Sequence, residues 1–538
     1  MDLPPKTFAD WRALVEKELA GKPFEAALVE QTPEGIPVAP LYTTLPATSF
    51  RDPAPEPFRI CMRHAEADPE ALLTDVEEGA DALWLPLPAT LRPELFPKLS
   101  NAFFVFDLEA GAPALESARR ASKLEVRFAL GWDALGTRAG SLAEVAEVAR
   151  WVAEKAPGSS SVMVSTLPYH EAGANAVDEL AAVFSTGARY LRMLMEAGLS
   201  ADEAAGQVAI QISVGRDTFL ELCKLRALRT GWRKVLAAVG AEQAPRTLVH
   251  AVCASRTLTV RDPWVNMLRV TTQVFAAVLG GADLVTPNAF DQALGVPSSQ
   301  GRRVARNTGL VLREESLLGK VADPAGGSYA FEALTDSLAR KAWERFRSLM
   351  KDGSIEDGSF AQGLEAGWQA RRSAIARRKI PILGVSDFAN LQEELPHPPA
   401  TSLHGLRDSA DFEALRARAE KSPLEAVLVT LGTLAESRPR AGFALSFFAA
   451  GGIPARESTR DEKAALVCLC GTDERYATEA IARVRALKAA GCGRVLVAGR
   501  PGALEGALRE AGAEGFIFLG CDVVAMISEL LPPLQGVA

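Results

Sequence analysis

Between residues 208 and 286 the chain reads Val208-Ala-Ile-Gln-Ile-Ser213, then Thr247-Leu-Val-His-Ala-Val-Cys-Ala254, then Asp283-Leu-Val-Thr286. Helix-like stretches, Thr218–Val239 and Pro263–Leu279, separate these short apolar runs. Runs of this length that alternate with helices are typical of buried parallel strands, because two parallel neighbours need a crossover connection between them. The alternation therefore predicts an α/β fold.

The same alternation continues toward the N-terminus and gives eight candidate strands in all. The other five are Phe58–Met62, Ala82–Leu87, Ala102–Leu108, Leu124–Leu130 and Ser161–Leu167. Eight strand–helix units match a (β/α)8 TIM barrel, whose active sites lie in the loops that follow the strands. We expect this barrel to occupy residues 58–389.

A second alternating block follows a proline-rich break, which we interpret as a linker at residues 390–420. Its candidate strands are Ala426–Thr430, Ile453–Arg456, Ala465–Cys470, Arg494–Ala498 and Gly515–Leu519. Five strands in roughly 120 residues fit a flavodoxin-like doubly wound sheet, here at residues 421–538.

Residues 1–57 predict an N-terminal arm. One amphipathic helix is expected from Asp10, and many prolines follow it, which prevents long regular elements. Such a segment has too little core of its own and must lie on another surface, of a partner or of this chain.

Composition and charge exclude several classes of protein. The 538 residues are 48% hydrophobic and 23% charged, close to globular averages. The net charge of −8 provides no positive field for nucleic acid or an anionic membrane. No apolar stretch reaches the roughly 18 residues of a membrane span, and the first residues lack the order of a signal peptide. Seven cysteines, a small and odd number, favour a reducing compartment, so we expect a cytoplasmic protein.

Motifs for metals and phosphates are missing from the sequence. The five histidines are scattered, and none is paired at i, i+4. Cys468 and Cys470 lie on a predicted buried strand, where core cysteines are the expected interpretation. No GxxxxGK[ST] or GxGxxG loop follows a strand. We therefore expect no metal site in this chain.

The strongest local signal is Tyr169-His170-Glu171-Ala172-Gly173, which follows the fifth candidate strand. Catalytic residues of TIM barrels lie at the carboxyl ends of strands. A neutral imidazole there can hydrogen-bond a substrate carbonyl or stabilise a developing charge. The alternative, which the residues alone favour, is a histidine held in the hydrogen bonds of its loop.

A series of motifs, taken in order, resembles the methylmalonyl-CoA mutase family. They are Tyr169–Ala174, Arg246-Thr247, Asp262–Asn266, Asn288–Gly295, Ala305–Thr308, Glu314–Ser316, Asp323–Tyr329 and, in the arm, Gly35-Ile36 and Pro40–Tyr42. The resemblance covers essentially the whole chain. It implies a radical interconversion of methylmalonyl-CoA and succinyl-CoA with adenosylcobalamin. It also implies a substrate that lies along the barrel axis and a corrinoid held by the flavodoxin-like domain.

Catalytic members of the family carry a DxHxxG motif after the first strand of that domain, and its histidine coordinates cobalt. The corresponding stretch here places Leu434 at the aspartate, Glu436 at the histidine and Pro439 at the glycine, and no histidine follows His404. The resemblance thus implies a degenerate cobalamin-binding motif in this chain.

Other positions depart from the catalytic pattern as well. Cys61 stands where the family's active-site tyrosine is expected, and Gly131 where a substrate-facing amide is expected. The corrinoid-contacting motifs of the third and fourth strands resemble Cys470-Gly471-Thr472 and Gly499-Arg500. This pattern of replaced residues is similar to that of the small (β) subunit of heterodimeric methylmalonyl-CoA mutases. It implies that a homologous catalytic large subunit binds adenosylcobalamin and acyl-CoA, and that Tyr169 and His170 are vestigial or structural.

Two other functions stay open from the sequence. One is an autonomous acyl-CoA mutase or barrel enzyme that uses Tyr169 and His170. The other is a chaperone-like module that binds the cobalamin protein.

Overall fold

The computed structural model describes residues 6–46, 57–87, 97–108, 113–136, 142–353, 355, 359–400, 406–460 and 462–532. The chain forms two compact units. The first comprises Met1–Ala254, Leu268–Ala289 and Ser299–Gly367, and the second Ser255–Met267, Phe290–Ser298 and Trp368–Ala538. The domain limits expected from the sequence, at residues 57, 389 and 420, stay a prediction.

Helices occupy much of the described chain. They are α1 (Phe8–Glu18), α2 (Phe24–Leu28), α3 (Pro69–Glu77), α4 (Ala114–Ser122), α5 (Val145–Lys155), α6 (Leu167–Glu171), α7 (Ala176–Glu196), α8 (Ala201–Gly206), α9 (Thr218–Ala238), α10 (Val265–Leu279), α11 (Ser299–Leu310), α12 (Tyr329–Asp352), α13 (Ser359–Ala376), α14 (Ala410–Lys421), α15 (Leu434–Ala450), α16 (Asp473–Arg475), α17 (Ile481–Ala489), α18 (Glu505–Ala511) and α19 (Val523–Leu530). Polar side chains fix the first residue of several helices, because they accept hydrogen bonds from backbone N–H groups that would otherwise be unpaired. Asn175 caps α7 and Asp217 caps α9 in this way.

The arm contains a short antiparallel hairpin of β1 (Glu30–Gln31) and β2 (Pro37–Val38). Its tip lies on the arm's own unit. The Glu34 carboxylate accepts the N–H of Ala176 at 3.1 Å, and Lys341 Nζ donates to the Glu34 carbonyl at 2.9 Å. Of the two predicted alternatives, a partner's surface or this chain's own, the hairpin segment of the arm therefore lies on its own chain. Residues 1–5 and 47–56 of the predicted arm lie outside the described residues.

Eight parallel strands form the centre of the first unit, within the residues described. They are β3 (Arg59–Arg63), β4 (Ala82–Pro86), β5 (Phe103–Asp107), β6 (Phe128–Gly131), β7 (Val162–Ser165), β8 (Val208–Val214), β9 (Val249–Cys253) and β10 (Leu284–Thr286). Their order is β6-β5-β4-β3-β10-β9-β8-β7, and a parallel bridge from Ala129 to Ser160 connects the two edges. The predicted TIM barrel is confirmed.

Apolar side chains fill the interior of this barrel. Every one of the eight strands contributes to a single buried cluster of Cys61, Ala82, Trp84, Phe103, Val105, Ala129, Met163, Ala209, Val252 and Leu284. Alternate residues of a strand face opposite sides, so these are the inward positions of the sheet. The barrel axis is therefore occupied by side chains along this layer.

The second unit contains a five-stranded parallel sheet of β11 (Ala426–Thr430), β12 (Ala455–Ser458), β13 (Leu466–Cys470), β14 (Arg494–Ala498) and β15 (Gly515–Ile517), in the described part of the chain. The order β12-β11-β13-β14-β15 is that of a flavodoxin-like sheet. Helix α14 overlaps the end of the segment predicted as a linker, 390–420, and its Phe412 and Leu415 pack into the core of this unit.

Among the described residues, no helix combines the length and the apolar character that crossing a bilayer requires.

Candidate functional site

Tyr169 and His170 lie in α6, directly after β7, at the carboxyl end of the strand as the sequence predicts. Both are buried. The Tyr169 hydroxyl donates to the carbonyl of Gly136 at 3.4 Å, and its ring packs edge-on against Phe360 with 5.2 Å between centroids. The tyrosine therefore has contacts of its own within the first unit.

His170 belongs to a buried polar network. Its Nδ1 lies 2.8 Å from Glu179 Oε1, and the other carboxylate oxygen of Glu179 accepts the Thr166 hydroxyl at 2.7 Å. Lys224 Nζ lies 3.2 Å from the same Oε1. Burial alone raises the pKa of Glu179, but the charges of Lys224 and His170 outweigh it and lower that pKa to about 2. The network joins α6, α7 and α9, and this geometry favours a histidine that anchors its loop.

A second polar chain lies inside the barrel, and the sequence analysis did not single it out. Ser165 Oγ donates to Gln211 Oε1 at 2.9 Å, and Gln211 Nε2 lies 3.2 Å from His250 Nδ1. His250 Nε2 lies 2.7 Å from Thr286 Oγ1. Burial lowers the pKa of His250 to about 3, so the imidazole is neutral. Only the register of β8 on β9, which places Gln211 beside His250, reveals this chain.

Two barrel positions at which the resemblance implies lost catalytic residues, Cys61 and Gly131, are closely packed. Cys61 is fully buried in the interior cluster, and burial raises the pKa of its thiol to about 12. A Cβ atom on Gly131 would lie 2.6 Å from the Asp107 carboxylate. A larger side chain at that position would require Asp107 to move.

In the second unit, the stretch predicted to be a degenerate cobalamin-binding motif forms the first turns of α15. Thr433 caps the helix, and its backbone N–H and hydroxyl both donate to Glu436 Oε2, at 2.6 and 2.8 Å. Arg475 Nε donates to Glu436 Oε1 at 3.1 Å. The Thr433 N–H and the Arg475 guanidinium lower the pKa of Glu436 to about 2. Leu434 is 65% exposed on this turn, and Pro439 lies within the helix. His404 lies outside the described residues.

The family profile described as Methylmalonyl-CoA mutase matches residues 136–450 of this chain. A methylmalonyl-CoA mutase small subunit from Streptomyces virginiae is 37% identical, with 100% of this chain and 98% of that protein covered. The chain belongs to the methylmalonyl-CoA mutase family. A small subunit from Propionibacterium freudenreichii subsp. shermanii is 31% identical over 100% of this chain and 96% of its own length. A methylmalonyl-CoA mutase from Escherichia coli (strain K12) is 31% identical over 54% of this chain and 42% of its own length.

The methylmalonyl-CoA mutase family consists of isomerases, and it uses cobalamin. The two relatives matched over the whole chain are small subunits by name, which implies that each has a large partner subunit.

Proposed function

We propose that this chain is the non-catalytic small subunit of a methylmalonyl-CoA mutase. It supports a homologous catalytic large subunit that interconverts (R)-methylmalonyl-CoA and succinyl-CoA. The observation that carries this proposal is the double engagement of Glu436, which stands at the cobalt-ligand position and is bound by Thr433 and Arg475.

Cobalamin does not fit the residues at this position. A lower ligand to cobalt needs an imidazole nitrogen on a segment that reaches the corrin, whereas Glu436 offers only a hard carboxylate. Both of its oxygens are already bound, one by the helix cap and one by Arg475. Thr433 and Glu436 also form a capping box, which stabilises the first turn of α15. We assign adenosylcobalamin to the partner subunit.

The barrel interior supports the same assignment for the substrate. A substrate along the axis would need the space that Trp84, Phe103 and Met163 occupy. Trp84 is further fixed between the Arg63 guanidinium, 4.1 Å from its ring, and His250, whose ring centroid lies 5.4 Å away. We assign acyl-CoA binding to the partner subunit.

An autonomous barrel enzyme that uses Tyr169 and His170 is the less favoured function. His170 Nδ1 is bound to Glu179, and Glu179 is in turn bound by Lys224. The imidazole therefore helps to hold α6 against α7 and α9. The positions where the family has its tyrosine and its amide hold Cys61 and Gly131.

We propose that the start of the arm contacts the large subunit. Helix α1 buries none of its residues, and Phe8 and Leu14 are 42% and 57% exposed. An isolated helix of 11 residues is only marginally stable in water, because most helices depend on tertiary packing of an apolar face. We assign this face to the large subunit, while the hairpin tip at Glu34 holds the arm on its own unit.

The proposal is tested by mixing the purified full-length chain with adenosylcobalamin and desalting it. We expect no corrinoid absorbance in the protein fraction and no mutase activity from this chain alone. Retention of one corrinoid per chain, or conversion of methylmalonyl-CoA by the chain alone, would overturn the proposed function.

A further inference from the structure

Flavodoxin-like sheets bind ligands in the crevice beyond the carboxyl ends of their strands. In the second unit, two side chains cross this edge. Tyr476 comes from a π turn, Tyr476–Ala480, that follows β13 through α16, and Arg440 comes from α15. π turns are rare and occur frequently at functional sites, where they redirect a side chain.

The Tyr476 hydroxyl binds to the ends of two neighbouring strands. It lies 2.9 Å from the Leu469 carbonyl on β13 and 2.7 Å from the Ala498 carbonyl on β14. It also accepts the N–H of Gly471 at 3.0 Å. The side chain is buried, and burial raises the pKa of its phenol. The ring is therefore fixed between the ends of β13 and β14.

Arg440 covers this ring. Its guanidinium carbon lies 4.7 Å from the centroid of Tyr476, in the arrangement of a cation–π contact. Nη1 donates to the Gly471 carbonyl at 2.6 Å, and Nη2 binds the Asp473 carboxylate. The guanidinium and the phenol therefore form a cation–π pair over the strand ends.

Two glycines border the pair, at the positions that resemble the family's corrinoid-contacting motifs. A Cβ atom on Gly499 would lie 3.0 Å from the Arg440 guanidinium carbon. A Cβ atom on Gly471 would lie 3.3 Å from the Tyr476 ring. The space that a ligand would enter between these glycines is filled by the protein itself.

We infer that Tyr476 and Arg440 form a plug that excludes the benzimidazole ribonucleotide of a corrinoid from the crevice of the second unit. The inference deepens the proposed function, on which it rests: this domain lacks room for the tail of the cofactor as well as a ligand for its cobalt. The cation–π pair takes the place of a flat heterocycle, and its contacts to strand ends replace those that a nucleotide would make.

Nitration by tetranitromethane, mapped by mass spectrometry on the full-length chain, tests the plug directly. In the wild type, Tyr329, which is 45% exposed, reacts and Tyr476 does not. Arg440→Ala uncovers the ring, so Tyr476 reacts at a rate comparable to Tyr329. Arg456→Ala is the matched control, because it removes a half-exposed arginine paired with Glu462 in the same unit. The plug is wrong if wild-type Tyr476 reacts like Tyr329, or if Arg440→Ala leaves it unreactive.

Calorimetry with 5,6-dimethylbenzimidazole riboside tests the exclusion. We expect one binding site in the double variant Arg440→Ala, Tyr476→Gly and none in the wild type or in Tyr476→Phe, which keeps the ring. Riboside binding to the wild type, or no binding to a folded double variant, would overturn the plug. If the double variant does not fold, the nitration result decides. A wild type that binds the riboside but retains no cobalamin would overturn the plug and leave the proposed function intact.

Discussion

His250 is neutral inside the barrel, where Gln211 and Thr286 bind its two ring nitrogens. Burial lowers its pKa to about 3, whereas an unfolded histidine has a pKa of about 6.5. Neighbouring strands supply all of these partners, so periodicity along one strand gives no sign of them. In contrast, the sequence alone correctly placed Tyr169 and His170 at a strand end, because position after a strand is a local property.

The lowered pKa predicts a specific loss of stability in acid. The unfolded chain binds a proton at His250 below pH 6.5 and the folded chain does not until about pH 3, so stability is complete above pH 6.5 and falls as pH decreases through this window. One such group costs about 2 kcal/mol between pH 7 and pH 5. Urea unfolding of the barrel at both pH values should show a smaller loss in His250→Gln than in the wild type. Equal losses would contradict this.

His170→Ala is expected to affect folding and not catalysis. The substitution leaves the buried Glu179 carboxylate with one partner fewer, which costs about 1–3 kcal/mol of unfolding free energy. In the complex with the large subunit, kcat should stay near the wild-type value. A fall in kcat of about 100-fold, typical of a lost general acid–base group, would show that His170 takes part in the reaction.

At the scale of elements, the first turn of α15 shows what the sequence could and could not predict. Thr433 and Glu436 have the T-x-x-E spacing of a capping box, which was present in the sequence as a helix-start signal. The pairing of Glu436 with Arg475, 39 residues away, depends on the tertiary structure and could not be predicted.

From the structure of this turn we predict that Glu436→His alone does not create a cobalt ligand. Thr433 still caps α15 as an N-cap residue, and Leu434 still stands where the resemblance implies an aspartate in catalytic chains. The variant, mixed with hydroxocobalamin and desalted, should retain no corrinoid and show no spectrum of imidazole-bound cobalt. Thr433→Ala, Glu436→His is the matched variant with the cap removed. Stoichiometric retention by Glu436→His would mean that a single side chain, and not the helix, abolishes the site.

We predict that changes in the two parts of the arm, α1 and the hairpin, have different effects on binding to the large subunit. A chain that starts at Gly21 lacks α1 but keeps the hairpin at Glu34 and Lys341. It should fold with an unchanged melting temperature and lose affinity for the co-expressed large subunit, because the exposed face of α1 is missing. Lys341→Met is the matched change at the hairpin and should weaken binding less. Undiminished co-purification of the truncated chain would exclude α1 from the interface.

At the scale of the whole molecule, strand–helix alternation was enough to predict a barrel and a five-stranded sheet, since each strand is a local pattern. The division of the chain into two units, with residues 255–267 and 290–298 assigned to the second, follows from contacts distant in sequence. At this scale we propose that all of the corrinoid chemistry of the complex takes place in the partner subunit.

The direct test is the corrinoid content of the complex. The full-length chain and its large subunit, reconstituted with excess adenosylcobalamin and separated by gel filtration, should elute together as a heterodimer. Absorbance should then give one corrinoid per heterodimer, with none in the isolated small chain. Two corrinoids per heterodimer would contradict the account.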